Sequence, residues 1–389
     1  MFRVIFEPDR GQRVPIRLWA RHVGPDTIRQ LQRLASQDYV VEFVAAMADA
    51  HVSEGVAVGS VFATEHTLVP AALGGDLGCG MSALRIDVDA FGLDRRTLEI
   101  VVSRLGRAIP TGDATHRGGG ASRANLPEGL LETPLSTRSL EHTREALLGR
   151  HLGTLGGGNH FLELDRDADG GVWLLVHSGS RGLGGAIASH HARAAEERNA
   201  HGLAGMDIRE SAGAAYWQDL EWAIRFAREN RRALATRALE ILSDVLHREV
   251  TAADTIDVHH NFVAREEWFG RPLFVHRKGA IAAPRGDRAL IPGSMGTASY
   301  VAFGLANADS FGSCSHGAGR VMTRTEARRT IRPKAFAESM RRVVYPDALA
   351  RRLVEEAPCV YRDIREVLDD QEDLLVRTIR LEPLAVLKG

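Results

Sequence analysis

Lysine is almost missing from this chain. Of its 49 basic residues only Lys278, Lys334 and Lys388 are lysines; the rest are arginine. A GC-rich coding bias that favours Arg wherever either serves accounts for this, so the surviving lysines mark places where a compact, titratable amine cannot become a planar guanidinium. Cysteine is as scarce: Cys79, Cys314 and Cys359 are odd in number and irregular in spacing, which argues against a disulfide framework and for a reducing cytoplasm. No apolar run approaches the roughly 18 residues that span a bilayer, and the N-terminus lacks the apolar core and cleavage site of a secretory leader, so no membrane association is expected. Net charge is nearly absent too, at -1. There is no whole-protein field to draw in a polyanion, and any nucleic-acid site has to be a local basic patch. What remains, 389 residues that are 44% hydrophobic and 25% charged, is ordinary soluble composition, and with no linker or low-complexity segment one large domain over residues 1–389 is expected.

Glycine, by contrast, gathers where chemistry is expected. Leu73-Gly-Gly-Asp-Leu-Gly-Cys-Gly80 places a carboxylate, Asp76, and a thiol, Cys79, on a nearly bare backbone between two expected strands, Leu68 to Ala72 and Met81 to Val88; a lone Cys in such a turn also serves as a small buried hydrophobe. An amphipathic helix is expected from Pro25 to Ser36 and others over Asp94 to Gly106, Leu140 to Leu148 and Ala214 to Val250, the last with its arginines on a solvated face. Met47 to Gly55 reads as a polar loop with Asp49 as a helix cap, and residues 111–136 as a loop able to close over a site. His177 ends an apolar strand and runs into Ser178-Gly-Ser-Arg-Gly182, while His160, His260 and His316 each lie in or beside a Gly- or Ser-rich strand-end loop. Such loops gather distant ligands at one sheet edge. Generic donor chemistry for Cys and His points to zinc, with the carboxylate widening the choice to manganese or iron. The residues alone therefore indicate a metal-dependent enzyme acting on a phosphorylated substrate.

Taken together, Gly75-Asp-Leu-Gly-Cys-Gly80, Gly158-Asn-His-Phe-Leu-Glu163, His177-Ser-Gly-Ser-Arg-Gly182, His260-Asn261, His276-Arg-Lys-Gly-Ala280, Ile291-Pro-Gly-Ser-Met-Gly296, His316-Gly-Ala-Gly-Arg320 and Lys388-Gly389 resemble the RtcB family of RNA ligases, in the family's order. The resemblance implies an α/β (α+β) fold, with mixed β-sheets at the core and helices outside; for assembly, a monomer or weak dimer is expected. It implies joining of RNA 3'-phosphate or 2',3'-cyclic phosphate ends to 5'-hydroxyl ends, with GTP and two Mn2+ ions, in tRNA splicing or RNA repair. Cys79 would bridge the ions, His177 and His260 completing one and Asp76 and His160 the other. His316 would be guanylylated by GTP, with Arg320 offsetting phosphoryl charge. Asn159, Ser294, Ser299, Tyr361 and Lys388 match nucleotide-holding positions, with Lys388 at the base and Tyr361 stacking; Glu163 is a further nucleotide or metal-supporting candidate.

Some positions depart from the family. Its usual Pro-Asp-Val-His-x-Gly-x-Gly is here Ala48-Asp-Ala-His-Val-Ser-Glu-Gly55, and the Thr-Arg that commonly follows His-Arg-Lys-Gly-Ala is Ile281-Ala282. Gaining Glu54 and losing an Arg weakens a polyanion contact by charge alone, which points to a divergent paralogue serving a particular cleaved RNA. His276 and Lys278 read either as a basic loop near RNA phosphates or as a strand-end salt bridge, and His259 as a structural neighbour of His260. Two alternatives stand beside the ligase: a metal-dependent cyclic phosphodiesterase or nucleotidyl-transfer enzyme without joining, and a non-catalytic RNA- or ribosome-associated factor, against which the nucleophile His316 argues.

Overall fold

A computed structural model describes residues 1–117, 127–198, 203–346 and 349–389. Its strands are β1 (Arg3–Ile5), β2 (Ile16–Leu18), β3 (Val41–His51), β4 (Val58–Thr64), β5 (Thr67–Leu68), β6 (Gly80–Asp89), β7 (Phe161–Arg166), β8 (Gly171–Ser178) and β9 (Met206–Asp207). They continue as β10 (Ala252–His259), β11 (Asn261–Trp268), β12 (Arg271–Lys278), β13 (Ala280–Ala282), β14 (Arg288–Ile291), β15 (Ser299–Gly304), β16 (Ser313–Ser315) and β17 (Leu375–Lys388). The α-helices are α1 (Pro25–Ala35), α2 (Arg95–Ala108), α3 (Glu128–Glu132), α4 (Arg138–His151), α5 (Arg181–Arg198), α6 (Ser211–Leu246), α7 (Arg324–Thr330), α8 (Pro333–Ser339), α9 (Ala350–Leu353) and α10 (Ile364–Asp369).

Two large sheets dominate. One has the order β1-β2-β3-β4-β12-β11, the other β10-β6-β8-β7-β17-β15-β14. The parallel pairing of β2 with β3, within otherwise antiparallel ladders, makes the first sheet mixed, as expected. The second sheet is covered on both faces, which is why β8 reads as a nearly continuous apolar run. Leu162, Leu164, Val172, Leu174 and Val176 pack with α2 and α6. Phe161, Trp173 and Leu175 face the opposite way, against Phe336, Met340 and Leu353 from the C-terminal helices. No helix among the described residues is long and apolar enough to cross a membrane.

Several expected elements differ. Residues 68–72 form the end of β5 and a 3-10 turn over Pro70–Ala72 instead of one strand, because proline removes a ladder donor. The presumed polar loop at 47–55 is mostly strand: β3 continues through Asp49 to His51, and Ala46, Met47, Ala48 and Ala50 bury their side chains around the polar ones. Within the segment expected to close over a site, residues 118–126 lie outside the described residues, while Glu128–Glu132 is helical. His276 and Lys278 lie on buried β12, with His276 stacked on Phe62 at 4.4 Å. The salt bridge there belongs to Arg277, whose buried guanidinium pairs with Glu266.

Candidate metal and nucleotide site

The chain turns from the 3-10 helix into β6 through Asp76-Leu-Gly-Cys79. Gly78 is required there: its φ is +69°, and an added Cβ would lie 2.7 Å from Ile224 Cα of α6. The Gly78 amide donates to Asn261 O (2.7 Å) and the Cys79 amide to Asp76 O (3.1 Å), tying the turn to the start of β11. Behind it lies a residue assigned by pattern to a solvated face. Arg231 of α6 is fully buried, pairs with Asp257 at 2.8 Å and donates to Gly78 O and Ser178 O. Strand-end carbonyls at this depth have no water to bond, so a guanidinium fork satisfies two at once.

Three imidazoles reach the same point from other strand ends. Cys79 Sγ lies 3.4 Å from both His160 Nε2 and His177 Nε2, and His160 Nε2 lies 3.0 Å from Asp76 Oδ2. The His260 ring is 5.1 Å from that of His177. The donor atoms form two triplets sharing Cys79, one with His177 and His260 and one with Asp76 and His160, each within 4.8 Å. His160 Nδ1 faces Leu155 O at 2.9 Å and His177 Nδ1 faces Asn159 O at 3.2 Å. A carbonyl accepts only from N–H, so the His177 contact fixes that ring's tautomer and leaves its Nε2 lone pair toward the sulfur.

The electrostatics agree with a cation-binding donor set. Burial pushes the His177 and His260 pKa values well below the usual histidine range, keeping both rings neutral. Burial also raises the Cys79 thiol, and the Asp76 charge adds to the rise. Burial opposes ionisation of Asp76 as well, but its hydrogen bond with His160 and the charges of His160 and Arg181 outweigh it, holding the carboxyl at about 2. His260 Nδ1 is buried without a partner. Neutral imidazoles, a carboxylate and a thiol that only a cation would ionise at such depth fit one or two divalent ions.

The cluster lines a cavity of about 400 Å³ whose wall includes Asp76, Cys79, His177, His260, His316, Arg320, Asn159, Glu163, Ser294, Ser299, Tyr361 and Lys388. His160 sits just behind, 4% exposed. His316 follows the short β13–β16 ribbon, in which the departing residue Ile281 pairs with Cys314 and is buried, so it packs the ribbon instead of facing solvent. The His316 ring is 4.8 Å from that of His260. His316 Nδ1 lies 2.7 Å from Oδ2 of the fully buried Asp49, although the two are not aligned as a well-formed hydrogen bond. Sequence reading missed this partner; the signal was the alternation Asp49-Ala-His51 on an alanine-rich strand.

Beside the cluster, Lys388 Nζ donates to Asn159 O (3.1 Å), the carbonyl that His177 Nδ1 also faces, and lies 3.3 Å from Glu356, which is 2% exposed. Glu356 also takes Arg320 at 3.0 Å, Arg324 at 3.3 Å and the Tyr361 hydroxyl. Arg320 is thus held by Glu356 while lying 5.2 Å from the Tyr361 ring centre. No sequence signal marked Glu356, one of two adjacent glutamates in a short helical turn. Lys278 and Glu54 also line the cavity, the lysine donating to the Glu54 backbone carbonyl. His259 is off the wall, its Nδ1 facing Gly78 O at 3.0 Å.

Comparison with known proteins identifies the family. Residues 30–389 match the family described as tRNA-splicing ligase RtcB. RNA-splicing ligase RtcB of Escherichia coli K12 is 34% identical, over 97% of this chain and 98% of that protein. The protein of the same name in Mycobacterium tuberculosis is 31% identical over 92% and 100%, and tRNA-splicing ligase RtcB of Thermococcus kodakarensis 29% over 98% and 96%.

Proposed function

Because the chain belongs to the RtcB family, we propose that it is an RNA ligase of tRNA splicing or RNA repair, joining 3'-phosphate or 2',3'-cyclic phosphate ends to 5'-hydroxyl ends at the expense of GTP. The observation that carries the reading is the meeting in one cavity of His316, backed by Asp49, with the Cys79-centred donor set. Asp76, Cys79, His160, His177 and His260 would hold two Mn2+ ions, which when bound offset negative charge on phosphoryl oxygens. The chain's own groups do the rest. Asp49 favours the tautomer of His316 with its proton on Nδ1, leaving the Nε2 lone pair free. Nε2 attacks the α-phosphorus of GTP, an N–P bond forms and pyrophosphate leaves with the bonding electrons of the broken P–O bond. An oxygen of the RNA 3'-phosphate then displaces the imidazole, and the 5'-hydroxyl of the second RNA displaces GMP. Asn159, Glu163, Ser294, Ser299, Tyr361 and Lys388 hold the nucleotide, and Arg320, steadied by Glu356, adds positive charge beside it.

The local basic patch that a near-neutral chain needs is available. Between Arg324 and Arg352 there are nine Lys or Arg against three Asp or Glu. Arg324 reaches the cavity wall, and the exposed Arg329, Arg332 and Lys334 continue from it along α7 and α8. Phosphodiester recognition uses such a surface. The reading is completed by a single cytoplasmic domain, monomeric or weakly dimeric.

Incubation with Mn2+ and GTP labelled on the α-phosphate tests the proposal. Label should survive denaturation in the wild type, be absent from His316→Ala, and chase into joined RNA when both ends are added. Absence of label with Mn2+, Zn2+ or Co2+ would remove the guanylylation step, and label without joined RNA would favour nucleotidyl transfer alone.

A further inference from the structure

Gln371 is a polar residue in an apolar place. It is 0% exposed, between α10 and β17, and its neighbours in the chain, Ile364, Val367, Leu368, Leu374 and Leu375, belong to the apolar core that also takes in Cys314 and Ala318. A buried amide is costly there unless both its ends are bonded. Both are bonded to one residue. Gln371 Oε1 accepts from the Ser315 N–H at 2.9 Å, and Gln371 Nε2 donates to Ser315 Oγ. Ser315 is itself 0% exposed and immediately precedes His316.

The strand that carries the nucleophile is short of support from its own ladder. β16 has three residues, in a two-stranded ribbon with the equally short β13, and such a pair is marginal by itself. Each strand is tied outward instead. Ala280, opposite Ser315, donates its N–H to His260 O at 3.2 Å, and Ser315 donates its own to Gln371. The ribbon therefore hangs between the donor cluster and the C-terminal segment. Beyond His316, Gly319 O accepts from the Arg362 N–H at 3.0 Å. Arg362 and Gln371 flank α10, which buries Ile364, Val367 and Leu368, so this one short helix brackets the nucleophile from both directions along the chain. Arg362 acts there through its main chain, which most residues would supply equally. Gln371 acts through its side chain.

We propose that Gln371 is a positioning residue for the nucleophile: by holding Ser315 at both N–H and hydroxyl, it sets the placement from which His316 Nε2 meets the α-phosphorus. This rests on the reading that His316 is guanylylated, and it deepens that reading by naming what keeps the imidazole in line once Asp49 has set its tautomer. In-line attack tolerates little displacement. Freeing Ser315 therefore slows bond formation while the groups that hold GTP and the metal ions stay in place.

Gln371→Met keeps the length of the side chain and removes both hydrogen bonds. In single-turnover labelling with Mn2+ and GTP labelled on the α-phosphate, it should cut the rate about 10- to 100-fold. The GTP concentration giving half the maximal rate, and the manganese bound per chain by metal analysis, should stay at wild-type values. Gln371→Glu can still accept from the Ser315 N–H and pair with the hydroxyl in either protonation state, so it should recover most of the rate; Gln371→Asn, one methylene short, should not. Ser315→Ala loses only the hydroxyl half of the contact and should slow labelling less, again at unchanged half-saturation. Ser310→Ala supplies the contrast with a purely structural role. It removes a hydrogen bond to Ser313 O (2.9 Å) at the far end of the same strand, and should lower the melting temperature as Gln371→Met does yet label at the wild-type rate. Wild-type rates in whichever of Gln371→Met and Ser315→Ala fold would overturn the role, as would a Ser310→Ala variant as slow as Gln371→Met, which would assign the effect to ribbon stability. Wild-type protein that takes no label on His316 would instead remove the guanylylation reading, and the proposal with it.

Discussion

A histidine nucleophile is only as good as the proton on its other nitrogen. Asp49 is the group that sees Nδ1 of His316, and replacing it by Asn allows the amide to stabilise either tautomer. Asp49→Asn should slow guanylylation by about 10² to 10⁴-fold in single-turnover labelling while leaving nucleotide affinity near wild type; an unchanged rate would assign Asp49 to packing. At this scale the sequence was most informative where glycine marks the backbone: Cys79, His160, His177, His260 and His316 all lie on or beside Gly- or Ser-rich strand ends, and the structure brings them together. Asp49 was misread because an Asp among small residues looks the same at a helix cap and on an alanine-lined strand.

Among elements, the 3-10 turn Val354–Glu356 shows how much a short piece can carry. Its Glu356 gathers Lys388, Arg320, Arg324 and the Tyr361 hydroxyl. Burial alone would raise its carboxyl, but Lys388, the Tyr361 hydrogen bond and the arginines outweigh burial and lower it below the ordinary 4.5. In acid the unfolded chain therefore takes up this proton first, so the stabilisation is complete above about pH 4.5 and is lost as pH falls through the lower folded value. Glu356→Gln should remove that part of the acid dependence of the melting temperature and cost about 3 kcal/mol, since it strands buried cations. An acid profile identical to wild type would mean that other carboxylates dominate. Helix and strand type were legible for the long periodic segments, such as α2, α6 and β6. The fate of the α6 arginines was not, because periodicity finds the apolar stripe but cannot tell that Arg231 meets strand-end carbonyls inside it.

For the whole molecule, near-zero net charge makes RNA binding a matter of where charge sits. Arg329→Ala, Arg332→Ala and Lys334→Ala combined should raise the KM for RNA and flatten its salt dependence, by about 0.7 in log-log slope for each phosphate that is no longer neutralised, without altering GTP labelling. An equal weakening at all salt concentrations would place the RNA elsewhere. The topology has a kinetic meaning as well. In the seven-stranded sheet β17 lies between β7 and β15, yet it is synthesised after the other six strands of that sheet. Until it emerges, β7 and β15 each present an open edge, and the sheet waits as two halves around a missing middle. Closure over such sequence distance is slow, and open apolar edges invite pairing with other chains. The nascent protein is therefore most vulnerable to aggregation in the interval just before β17 is added, while its sheet is still divided.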